Sequence, residues 1–478
     1  MPDEAPDTFD LVVLGGGTGG YSAAFRAGQL GLKVALVEEV KIGGTCLHVG
    51  CIPTKAMLES ADFYARVKEA DTFGVHVGGA EVDFPVIATR RQQVVDRLHR
   101  GLMSLVKKNH VEFVHGRGVL EAGPVVRVAL SGDEGAPGSA GERLLRAGDV
   151  IVATGSRPKS LPGLVPDGER IVTSDDVLRS ERLPASLIVV GAGAVGVEFA
   201  SFYADMGTRV TLLEYLPSVV PLEDAEVAQV VQRAFTKRGI TVMTNARFDP
   251  AAVTVDEHGV CLQVGPEGQP PQELRAEQML VATGRAANVE GIGLESTRAV
   301  VERGVIRVDA TMRTAEPHVY AIGDVIGGLW LAHVAAHEGI TAVEAVAGES
   351  PEPLDYNRMP RATYCRPQVA SIGRSEQELQ RDGVTFKSGK FPFIANGKAL
   401  IGGEYDGFVK VLADARTDEI LGVHMVGPHV TDLIAEASAA MLLEATAWEV
   451  GAAVHPHPTL SEAVGEAALA VAGRAINV

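Results

Sequence analysis

The sequence predicts an α/β protein in which one strand–glycine turn–helix–strand unit occurs twice and a separate α+β domain follows. The first observation is a glycine-rich turn directly after an apolar run, at residues 15–20, and the second is the same arrangement at residues 191–196. In both copies an acidic residue, Glu38 or Glu214, stands 23 positions after the first glycine (38 − 15 and 214 − 191). The third observation is a change of composition at about residue 351. Repeated units of this kind indicate parallel sheets covered by helices.

The composition is that of a globular protein with several domains. Of 478 residues, 46% are hydrophobic and 22% are charged, and this length suggests about three domains. The net charge of −18 argues against nonspecific binding of nucleic acid and would favour basic protein partners. No apolar run reaches the roughly 18 residues of a membrane helix, and the acidic residues 1–7 contain no apolar signal core. We therefore expect a soluble, cytoplasmic protein without a membrane segment.

The first unit contains every part of a dinucleotide-binding motif. Its predicted elements are the strand Phe9–Leu14, the helix Tyr21–Gly31 and the strand Lys33–Val37, which is followed by Glu38. Glycines at 15, 17 and 20 let the backbone approach a pyrophosphate, and the helix N-terminus offers N–H groups to that anion. The carboxylate of Glu38 can accept hydrogen bonds from ribose hydroxyls. The glycines alone are weak evidence, but with strand, helix and acid in place they predict a bound dinucleotide.

The second unit repeats this layout. Its predicted elements are the strand Leu187–Val190, the helix Val197–Met206 and the strand Val210–Leu213, with the glycine turn after the first strand. Both units also end alike, because Ala282-Thr283-Gly284 repeats Ala153-Thr154-Gly155. The sequence therefore predicts two Rossmann-like domains and two different dinucleotides.

Glu214 indicates which nicotinamide cofactor the second unit binds. A carboxylate at this position accepts the 2′-hydroxyl of NAD and repels the 2′-phosphate of NADP. The next three residues include no arginine, although Arg209 lies close in sequence. We expect NAD, and the alternative interpretation is a solvated glutamate at a strand end.

Two of the four cysteines, Cys46 and Cys51, lie five positions apart in the segment Gly43–Lys55. In a reducing cytosol so close a pair is more often catalytic or metal-binding than structural, and closing so short a loop removes little chain entropy. Because the pair begins eight residues after Glu38 (46 − 38), we expect a redox-active dithiol beside a bound redox cofactor. Two core cysteines on neighbouring helical turns are the alternative. A zinc site is weaker, since no second Cys/His pair at ligand spacing accompanies this one.

A further polar position follows a predicted strand near residue 320. The strand that begins at His318 runs into Gly323-Asp324, whose carboxylate could accept hydrogen bonds from a polyhydroxyl chain such as ribityl. The helix Leu331–Val346 comes next. His333 and His337 on this helix could face one metal ion, but no third ligand is evident, so we do not expect a metal.

The region after about Pro351 predicts a separate α+β domain. Residues 369–372, 408–412 and 420–426 predict strands, and Leu433–Thr446 predicts an apolar helix suited to an interface. His457 precedes Pro458-Thr459, which predicts a helix start with Glu462 about one turn inside it. A carboxylate so placed could hold an imidazole tautomer and raise its basicity, as in a general base. A structural histidine is the more frequent case, so this assignment depends on a dithiol for the base to serve.

These motifs together resemble the pyridine nucleotide–disulfide oxidoreductase family, and within it the dihydrolipoamide dehydrogenases. The resemblance covers about residues 9–470 and depends on the segment 43–55, both glycine turns, Gly323-Asp324 and residues 457–462. It implies an FAD-binding domain (1–155) with the redox cysteines, an NAD-binding domain (156–284), a second part of the FAD-binding domain (285–350) and a dimerisation domain (351–478).

The resemblance also implies catalytic roles. Cys46 and Cys51 would form a disulfide against the flavin, with Cys46 attacked by the substrate and Cys51 becoming the thiolate beside the flavin. His457, oriented by Glu462 and supplied by the other subunit of a homodimer, would be the base that deprotonates the dithiol.

The remaining candidate residues would hold the cofactors. Lys55 and Glu198 match an ion pair that the family places near flavin N5 and the nicotinamide. The residues expected to bind FAD are Gly15, Gly17, Gly20, Glu38, Lys55 and Asp324, and those expected to bind NAD are Gly191, Gly193, Gly196 and Glu214. Further expected cofactor-binding positions are Gly44, Thr45, Gly118, Thr154, Gly155, Gly284 and Ala332.

The implied activity is oxidation of protein-bound dihydrolipoyl groups through the cysteine disulfide and FAD, with a hydride passed to NAD+. The implied partner is a lipoyl-bearing acyltransferase of a 2-oxo acid dehydrogenase complex or a glycine cleavage carrier protein, with no nucleic acid or membrane. A related NADH-dependent reductase of a disulfide or metal ion is one alternative, and a complex component acting mainly by binding is another. The sequence departs from the family pattern at Thr18, His48, Trp330 and Val334, which bears on rate and redox potential more than on activity.

Overall fold

The computed structural model describes residues 7–131 and 139–477, so most of the acidic start, residues 1–6, lies outside the described residues. The backbone divides into two compact units. The first unit contains Met1–Ala56, Thr89–Pro158 and Arg285–Leu354, and the second contains Met57–Ala88, Lys159–Gly284 and Asp355–Val478. The second unit thus takes in residues 57–88, which the sequence places with the FAD-binding segment.

The elements follow one another in this order. Up to residue 158 they are β1 (Asp7–Leu14), α1 (Thr18–Gln29), β2 (Val34–Glu38), α2 (Gly44–Val49), α3 (Cys51–Lys68), α4 (Phe84–Lys108), β3 (Glu112–Glu121), β4 (Val125–Ser131), β5 (Ser139–Val152) and β6 (Ser156–Pro158). From 159 to 284 they are β7 (Ile171–Val172), α5 (Ser174–Val177), β8 (Ser186–Val190), α6 (Ala194–Asp205), β9 (Arg209–Leu213), α7 (Ala225–Lys237), β10 (Thr241–Met243), β11 (Ala246–Arg247), β12 (Thr254–Asp256), β13 (Gly259–Pro266), β14 (Gln272–Ala276) and β15 (Gln278–Val281). The rest are β16 (Arg285–Ala287), β17 (Val301–Glu302), β18 (Val305–Ile306), β19 (Val319–Ala321), α8 (Ala332–Val346), β20 (Arg361–Thr363), β21 (Gln368–Gly373), α9 (Glu376–Arg381), β22 (Phe386–Pro392), α10 (Gly397–Gly402), β23 (Phe408–Asp414), β24 (Ile420–Gly427), α11 (Val430–Leu442), α12 (Ala447–Ala452) and α13 (Glu462–Val471).

The first unit is built on a parallel sheet with β1 at its centre. β1 pairs in parallel with β2 and β5, β2 pairs with β3, and β5 pairs with β19. β4 joins β3 and β5 through antiparallel ladders. Val13 pairs with Leu36 on one side and Ile151 on the other, and all three side chains are fully buried. Burial on both faces explains why these strands appear in the sequence as continuous apolar runs.

The second unit contains its own parallel sheet, in the order β10-β9-β8-β15-β7. Val189 on β8 pairs with Leu212 and Leu280, and all three are fully buried. Helix α6 follows β8 as α1 follows β1. Both helices begin three residues before the predicted starts at Tyr21 and Val197, because the last residues of each glycine turn already have helical backbone. The antiparallel strands β11–β14 form a smaller sheet in the same unit.

The C-terminal part of this unit is an antiparallel sheet, in the order β20-β21-β24-β23-β22. α11 and α13 pack on it through an apolar cluster that includes Val411, Met425 and Ala467. The predicted helix Leu433–Thr446 spans Val430–Leu442, and α13 begins at Glu462 itself rather than one turn earlier. No helix in the described part of the chain is both long and apolar enough to cross a membrane.

Candidate active site

The first glycine turn follows the carboxyl end of β1, and two of its glycines pack without space for a side chain. Gly15 has φ +111°, and a Cβ there would lie 2.3 Å from the carbonyl oxygen of Ala153. A Cβ at Gly20 would lie 1.9 Å from the carbonyl oxygen of Gly15. At Gly17, the N-cap of α1, a Cβ would meet no atom of the described residues within 4 Å. Gly15 and Gly20 therefore close the turn, whereas Gly17 presents open backbone to a ligand at a helix N-terminus.

The glutamate at the end of the second strand accepts the same two hydrogen bonds in each unit, one from the glycine turn and one from the backbone N–H two residues after the glutamate. Glu38 Oε2 accepts from the Gly16 N–H at 2.7 Å, and its Oε1 accepts from the Val40 N–H at 2.9 Å. Glu214 accepts from the Ala192 N–H at 2.7 Å and from the Leu216 N–H at 2.8 Å. Each carboxylate oxygen keeps a lone pair for a ribose hydroxyl, so these bonds fix the carboxylates without consuming their acceptor capacity.

The second glycine turn repeats the packing of the first. A Cβ at Gly191 would lie 2.5 Å from the Ala282 carbonyl oxygen, and one at Gly196 would lie 1.8 Å from the Gly191 carbonyl oxygen. Gly193 and Gly284 have no described atom within 4 Å of an added Cβ. The second unit therefore offers the same open backbone to a dinucleotide.

Helices α1 and α8 pack side by side and run in the same direction. A Cβ at Gly19 would lie 2.9 Å from the Ala335 carbonyl oxygen, and a Cβ at Gly339 would lie 3.3 Å from Ala23 Cβ. Because residue numbers rise together along the contact, the N-termini at Thr18 and Ala332 lie at the same end. Two helix N-termini therefore meet beside the glycine turn and favour an anionic ligand there.

Asp324 lies in a 3₁₀ turn (Gly323–Ile326) that α8 holds in place. The Gly323 N–H donates to Glu338 Oε2 at 2.7 Å. The Asp324 carboxylate accepts a hydrogen bond from Ser156 Oγ and lies 3.9 Å from Arg285 Nε. Sequence reasoning missed Ser156 and Arg285, although each directly follows one of the two Ala-Thr-Gly repeats.

Those two positions are brought together by the pairing of β6 with β16, and Arg285 Nε donates to Ser156 Oγ at 2.6 Å. Thr154 and Gly155, predicted as cofactor-binding, are hydrogen-bonded to Asn288. Gly118 lies on β3, where an added Cβ would lie 2.4 Å from Leu14 Cδ1. This contact gives Gly118 a packing reason to be glycine, and its cofactor role stays a prediction.

The cysteines lie on two different helices, Cys46 on α2 and Cys51 at the start of α3, with Gly50 between them. Both are half-buried, so they are not core cysteines on neighbouring turns of one helix. The Gly43 N–H donates to the Gly16 carbonyl at 2.8 Å, and a Cβ at Gly44 would lie 2.6 Å from Gly17 Cα. The half-buried Thr45 precedes Cys46 on α2. This packing places the cysteine helix beside the open backbone of Gly17.

Both cysteines are thiols in this structure, the reduced form of the expected pair. A hydrogen bond with Cys51 and then burial raise the pKa of Cys46 far above its ordinary value, while Lys55 and Thr18 act in the opposite direction. The two thiol groups are therefore within hydrogen-bonding reach of each other, as a pair that forms and breaks a disulfide has to be.

Lys55 and Glu198 lie in different units. Lys55 is half-buried on α3, four residues after Cys51, and its charge acts on Cys46. Glu198 is buried on α6 and accepts a hydrogen bond from the Tyr364 N–H at 2.8 Å. Their ion pair stays a prediction.

His457 and Glu462 form a histidine–carboxylate pair. His457 Nδ1 lies 2.8 Å from Glu462 Oε1, and Glu462 Oε2 accepts from the Thr459 N–H at 2.8 Å. The Thr459 N–H and the bond to His457 lower the pKa of Glu462. Since Nδ1 faces the carboxylate, Nε2 is the nitrogen that can accept a proton. The His457 side chain is 80% exposed, so an outside group can reach it.

A neighbouring pair, His455 Nε2 with Glu436 Oε1 at 2.7 Å, was not predicted, because Glu436 lies on α11, 19 positions away in the sequence. On α8, His337 Nδ1 faces the His333 carbonyl. Within residues 7–131 and 139–477 no group of three or more His, Cys, Asp or Glu side chains is arranged to hold a metal ion.

Comparison with protein families identifies the two parts of the chain. The model described as "Pyridine nucleotide-disulphide oxidoreductase" matches residues 9–339, and that described as "Pyridine nucleotide-disulphide oxidoreductase, dimerisation domain" matches residues 359–468. The chain is 51% identical to a dihydrolipoyl dehydrogenase of Bacillus subtilis over 98% of its length and 99% of the relative's. It is 45% identical to a dihydrolipoyl dehydrogenase of Zymomonas mobilis, with the same coverage.

Solved structures agree on the fold. LpdA of Mycobacterium tuberculosis matches with a TM-score of 0.87 at 29% identity, covering 97% of this chain and 99% of that one. The flavoprotein disulfide reductase RclA of Escherichia coli, in its Cu(II) complex, matches with a TM-score of 0.84 at 23% identity and the same coverage. At 23% identity, the similarity to RclA concerns the fold alone.

Proposed function

The chain belongs to the pyridine nucleotide-disulphide oxidoreductase family, and on that premise we propose that it is an FAD-dependent dihydrolipoyl dehydrogenase that uses NAD+ as acceptor. The observation that carries the proposal is the hydrogen-bonded pair Cys46–Cys51 on helices packed against the first glycine turn. A dithiol beside one dinucleotide site, with a second such site in the chain, suits electron transfer from thiols to a nicotinamide. The high identity to dihydrolipoyl dehydrogenases over the full chain supports the substrate.

The residues present fit both cofactors. In the first unit, the open backbone at Gly17 and the paired N-termini of α1 and α8 would hold the FAD pyrophosphate, with Glu38 and Asp324 for hydroxyl groups. In the second unit, Gly193 and Glu214 would hold NAD in the same way. When bound, FAD supplies the two-electron transfer that links the dithiol to the nicotinamide.

The thiol chemistry begins with a proton transfer to His457. A free thiol has a pKa of about 8.5 and is only slightly ionised at neutral pH, so a base increases the thiolate population. His457 Nε2 takes the proton of one dihydrolipoyl thiol, and Glu462 holds the ring through Nδ1. In the homodimer that the dimerisation domain supports, this histidine would come from the other subunit.

Two exchange steps then move two electrons into the protein. The substrate thiolate attacks Cys46 in the oxidised pair, the Cys46–Cys51 bond breaks, and Cys51 leaves as a thiolate. The second substrate sulfur then displaces Cys46 and closes the substrate disulfide. Its proton passes to the departing Cys46 sulfur, which is a thiol again. The substrate has lost two electrons and the cysteine pair has gained them.

The partner in the cell would be a lipoyl-bearing protein, either the acyltransferase of a 2-oxo acid dehydrogenase complex or a glycine cleavage carrier. The net charge of −18 suits docking to a basic segment of such a complex. The cytoplasmic location expected from the sequence stays a prediction, which fractionation of cells would test.

The decisive experiment measures NADH formation from dihydrolipoamide by the purified protein, with NADP+ in parallel. We expect rapid reduction of NAD+ and weak reduction of NADP+. A yellow protein that binds NADH but ignores dihydrolipoamide would overturn the substrate and favour a reductase of another disulfide. Salt-sensitive co-elution with an acyltransferase core would separate a complex component from a free reductase.

A further inference from the structure

Two histidine rings meet at one buried backbone carbonyl next to the cysteine segment. His48 Nε2 lies 2.9 Å and His99 Nδ1 lies 3.2 Å from the carbonyl oxygen of Ile42. The ring centroids are 5.4 Å apart in an edge-to-face arrangement. Ile42 is fully buried and both histidines are half-buried. Since a carbonyl oxygen only accepts hydrogen bonds, each ring donates the N–H that faces it.

The peptide bond between Ile42 and Gly43 is thereby held from both sides. Its carbonyl accepts from His48 and His99, and its N–H, that of Gly43, donates to the Gly16 carbonyl at 2.8 Å. Gly43 has φ +116°, so the chain turns sharply there into α2. This one peptide therefore links the first glycine turn to the helix that carries Cys46.

The two histidines reach this peptide from different parts of the sequence. His48 lies on α2 itself, between the two cysteines, whereas His99 lies on α4. On α4, Leu102, Met103 and Val106 pack in the core of the first unit. Because these residues share the helix face of His99 at spacings of three, four and seven, α4 is fixed in orientation and its histidine is fixed with it.

We propose that His48 and His99 are positioning residues that hold the cysteine helix against the FAD-binding glycine turn and thereby set the redox potential of the Cys46–Cys51 couple. The proposal rests on the proposed function only for the identity of the flavin. Loss of either donor leaves the buried carbonyl with one hydrogen bond fewer, and loss of both removes two. The peptide is then free to tilt, and the cysteines move relative to the flavin.

The pair acts through hydrogen bonds rather than through charge. Burial lowers the pKa of His48 and so disfavours its charged form, while the hydrogen bond to the Ile42 carbonyl and the charge of Glu38 oppose the shift. If positioning is the cause, a variant shifts the potential of the couple by the same amount at pH 7 and pH 8.

The test compares variants that remove the donor with variants that keep it. His48→Leu and His99→Leu remove the N–H, while His48→Gln and His99→Asn place an amide N–H near the original nitrogen. The exposed His258 gives the matched control, His258→Leu. The first readout is the equilibrium of the cysteine couple with a dithiol of known potential. The second readout is the long-wavelength absorption of a thiolate lying against oxidised flavin in the two-electron-reduced protein.

We expect each Leu variant to shift the dithiol equilibrium about three- to tenfold and to weaken the thiolate–flavin absorption, while the amide variants and His258→Leu match the wild type. Wild-type equilibrium and absorption in both Leu variants would overturn the proposal, and so would a shift that grows as the pH falls. If His48→Leu does not fold, the comparison of His99→Leu with His99→Asn decides the question by itself. Neither readout uses dihydrolipoamide. A wrong assignment of the substrate would therefore leave both readouts valid, and the two proposals can fail separately.

Discussion

His457 Nδ1 lies 2.8 Å from Glu462 Oε1, and the other oxygen of that carboxylate accepts the Thr459 N–H at 2.8 Å. The backbone therefore fixes the carboxylate and the carboxylate fixes the imidazole tautomer. Because the pKa of Glu462 is lowered, the carboxylate stays ionised throughout the neutral range. The histidine–carboxylate pair is thus already formed in the protein without a substrate.

Replacement of His457 by glutamine should lower the turnover of dihydrolipoamide by about 10²- to 10⁴-fold, since a positioned base contributes that much. Glu462→Gln should cause a smaller loss, because the ring keeps a neutral hydrogen-bond partner. Steady-state rates from pH 6 to pH 9 measure both, with His258→Gln as control. Wild-type turnover of His457→Gln at every pH would show that this histidine is not the base.

Removal of Cys51 should make Cys46 more acidic. The hydrogen bond with Cys51 is the largest cause of the raised pKa of Cys46, so Cys51→Ala should increase alkylation of Cys46 by iodoacetamide at pH 8. Cys46→Ser should abolish dithiol oxidation and leave a yellow, FAD-loaded protein. Cys261→Ser, at a half-buried cysteine on β13, is the control. Equal alkylation rates with and without Cys51 would show that Cys51 is not the cause of the raised pKa of Cys46.

Alanine substitutions at two glycines of the second turn should have different effects, one on stability and the other on NAD+ binding. A Cβ at Gly196 would lie 1.8 Å from the Gly191 carbonyl oxygen, whereas one at Gly193 meets no described atom within 4 Å. Gly196→Ala should therefore destabilise the second unit, and Gly193→Ala should fold, keep FAD and raise the KM for NAD+. Thermal unfolding and NAD+ kinetics separate the two results. An unchanged KM in Gly193→Ala would place the dinucleotide elsewhere.

The preference for NAD+ should depend on the charge of Glu214. Ala192 and Leu216 donate to different oxygens of Glu214, so Glu214→Gln keeps an acceptor for one of these two N–H groups and loses the charge that repels a 2′-phosphate. We expect it to reduce the NAD+/NADP+ ratio of kcat/KM by about tenfold, equivalent to about 1.4 kcal/mol, and Glu214→Arg to reduce it further. Parallel kinetics with both cofactors measure the ratio. If both variants keep the wild-type ratio, Glu214 does not select the cofactor.

Asp62 should limit stability at neutral pH. Burial, with a smaller contribution from Asp205, raises its pKa to about 6 against an ordinary 3.8, while Arg366 opposes the shift. A carboxyl whose pKa is raised on folding destabilises the protein above that pKa, and the penalty is relieved as the pH falls from 6 towards 4. Asp62→Asn should therefore raise the free energy of unfolding at pH 8, by at most about 3 kcal/mol.

Denaturant unfolding at pH 8 and pH 5 measures this effect of Asp62→Asn. Asp83→Asn, on an exposed aspartate before α4, provides the control. A gain that is equally large at pH 5, or no gain at pH 8, would contradict the raised pKa.

The sequence alone determined the features that arise from neighbouring residues. Apolar runs buried on both faces predict β1, β2, β8 and β9, and the glycine spacing is required because Cβ atoms at positions 20 and 196 would strike the carbonyls of positions 15 and 191. His457 and Glu462 are only five positions apart in the sequence, so local backbone geometry brings them together. The predicted starts of α1 and α6 lie three residues too late, because a glycine-rich sequence does not indicate that the end of the turn already has helical backbone.

Only the tertiary structure decided which distant groups meet. Ser156 contacts Arg285 across 129 positions through the pairing of β6 with β16, and α8 packs parallel to α1 because Gly19 and Gly339 allow close approach. His99 reaches Ile42 across 57 positions. Such contacts depend on how helices and strands pack, and a residue's own neighbours in sequence carry no record of that packing. The sequence therefore determined which groups are candidates for the chemistry, and the packed fold decided what holds them in place.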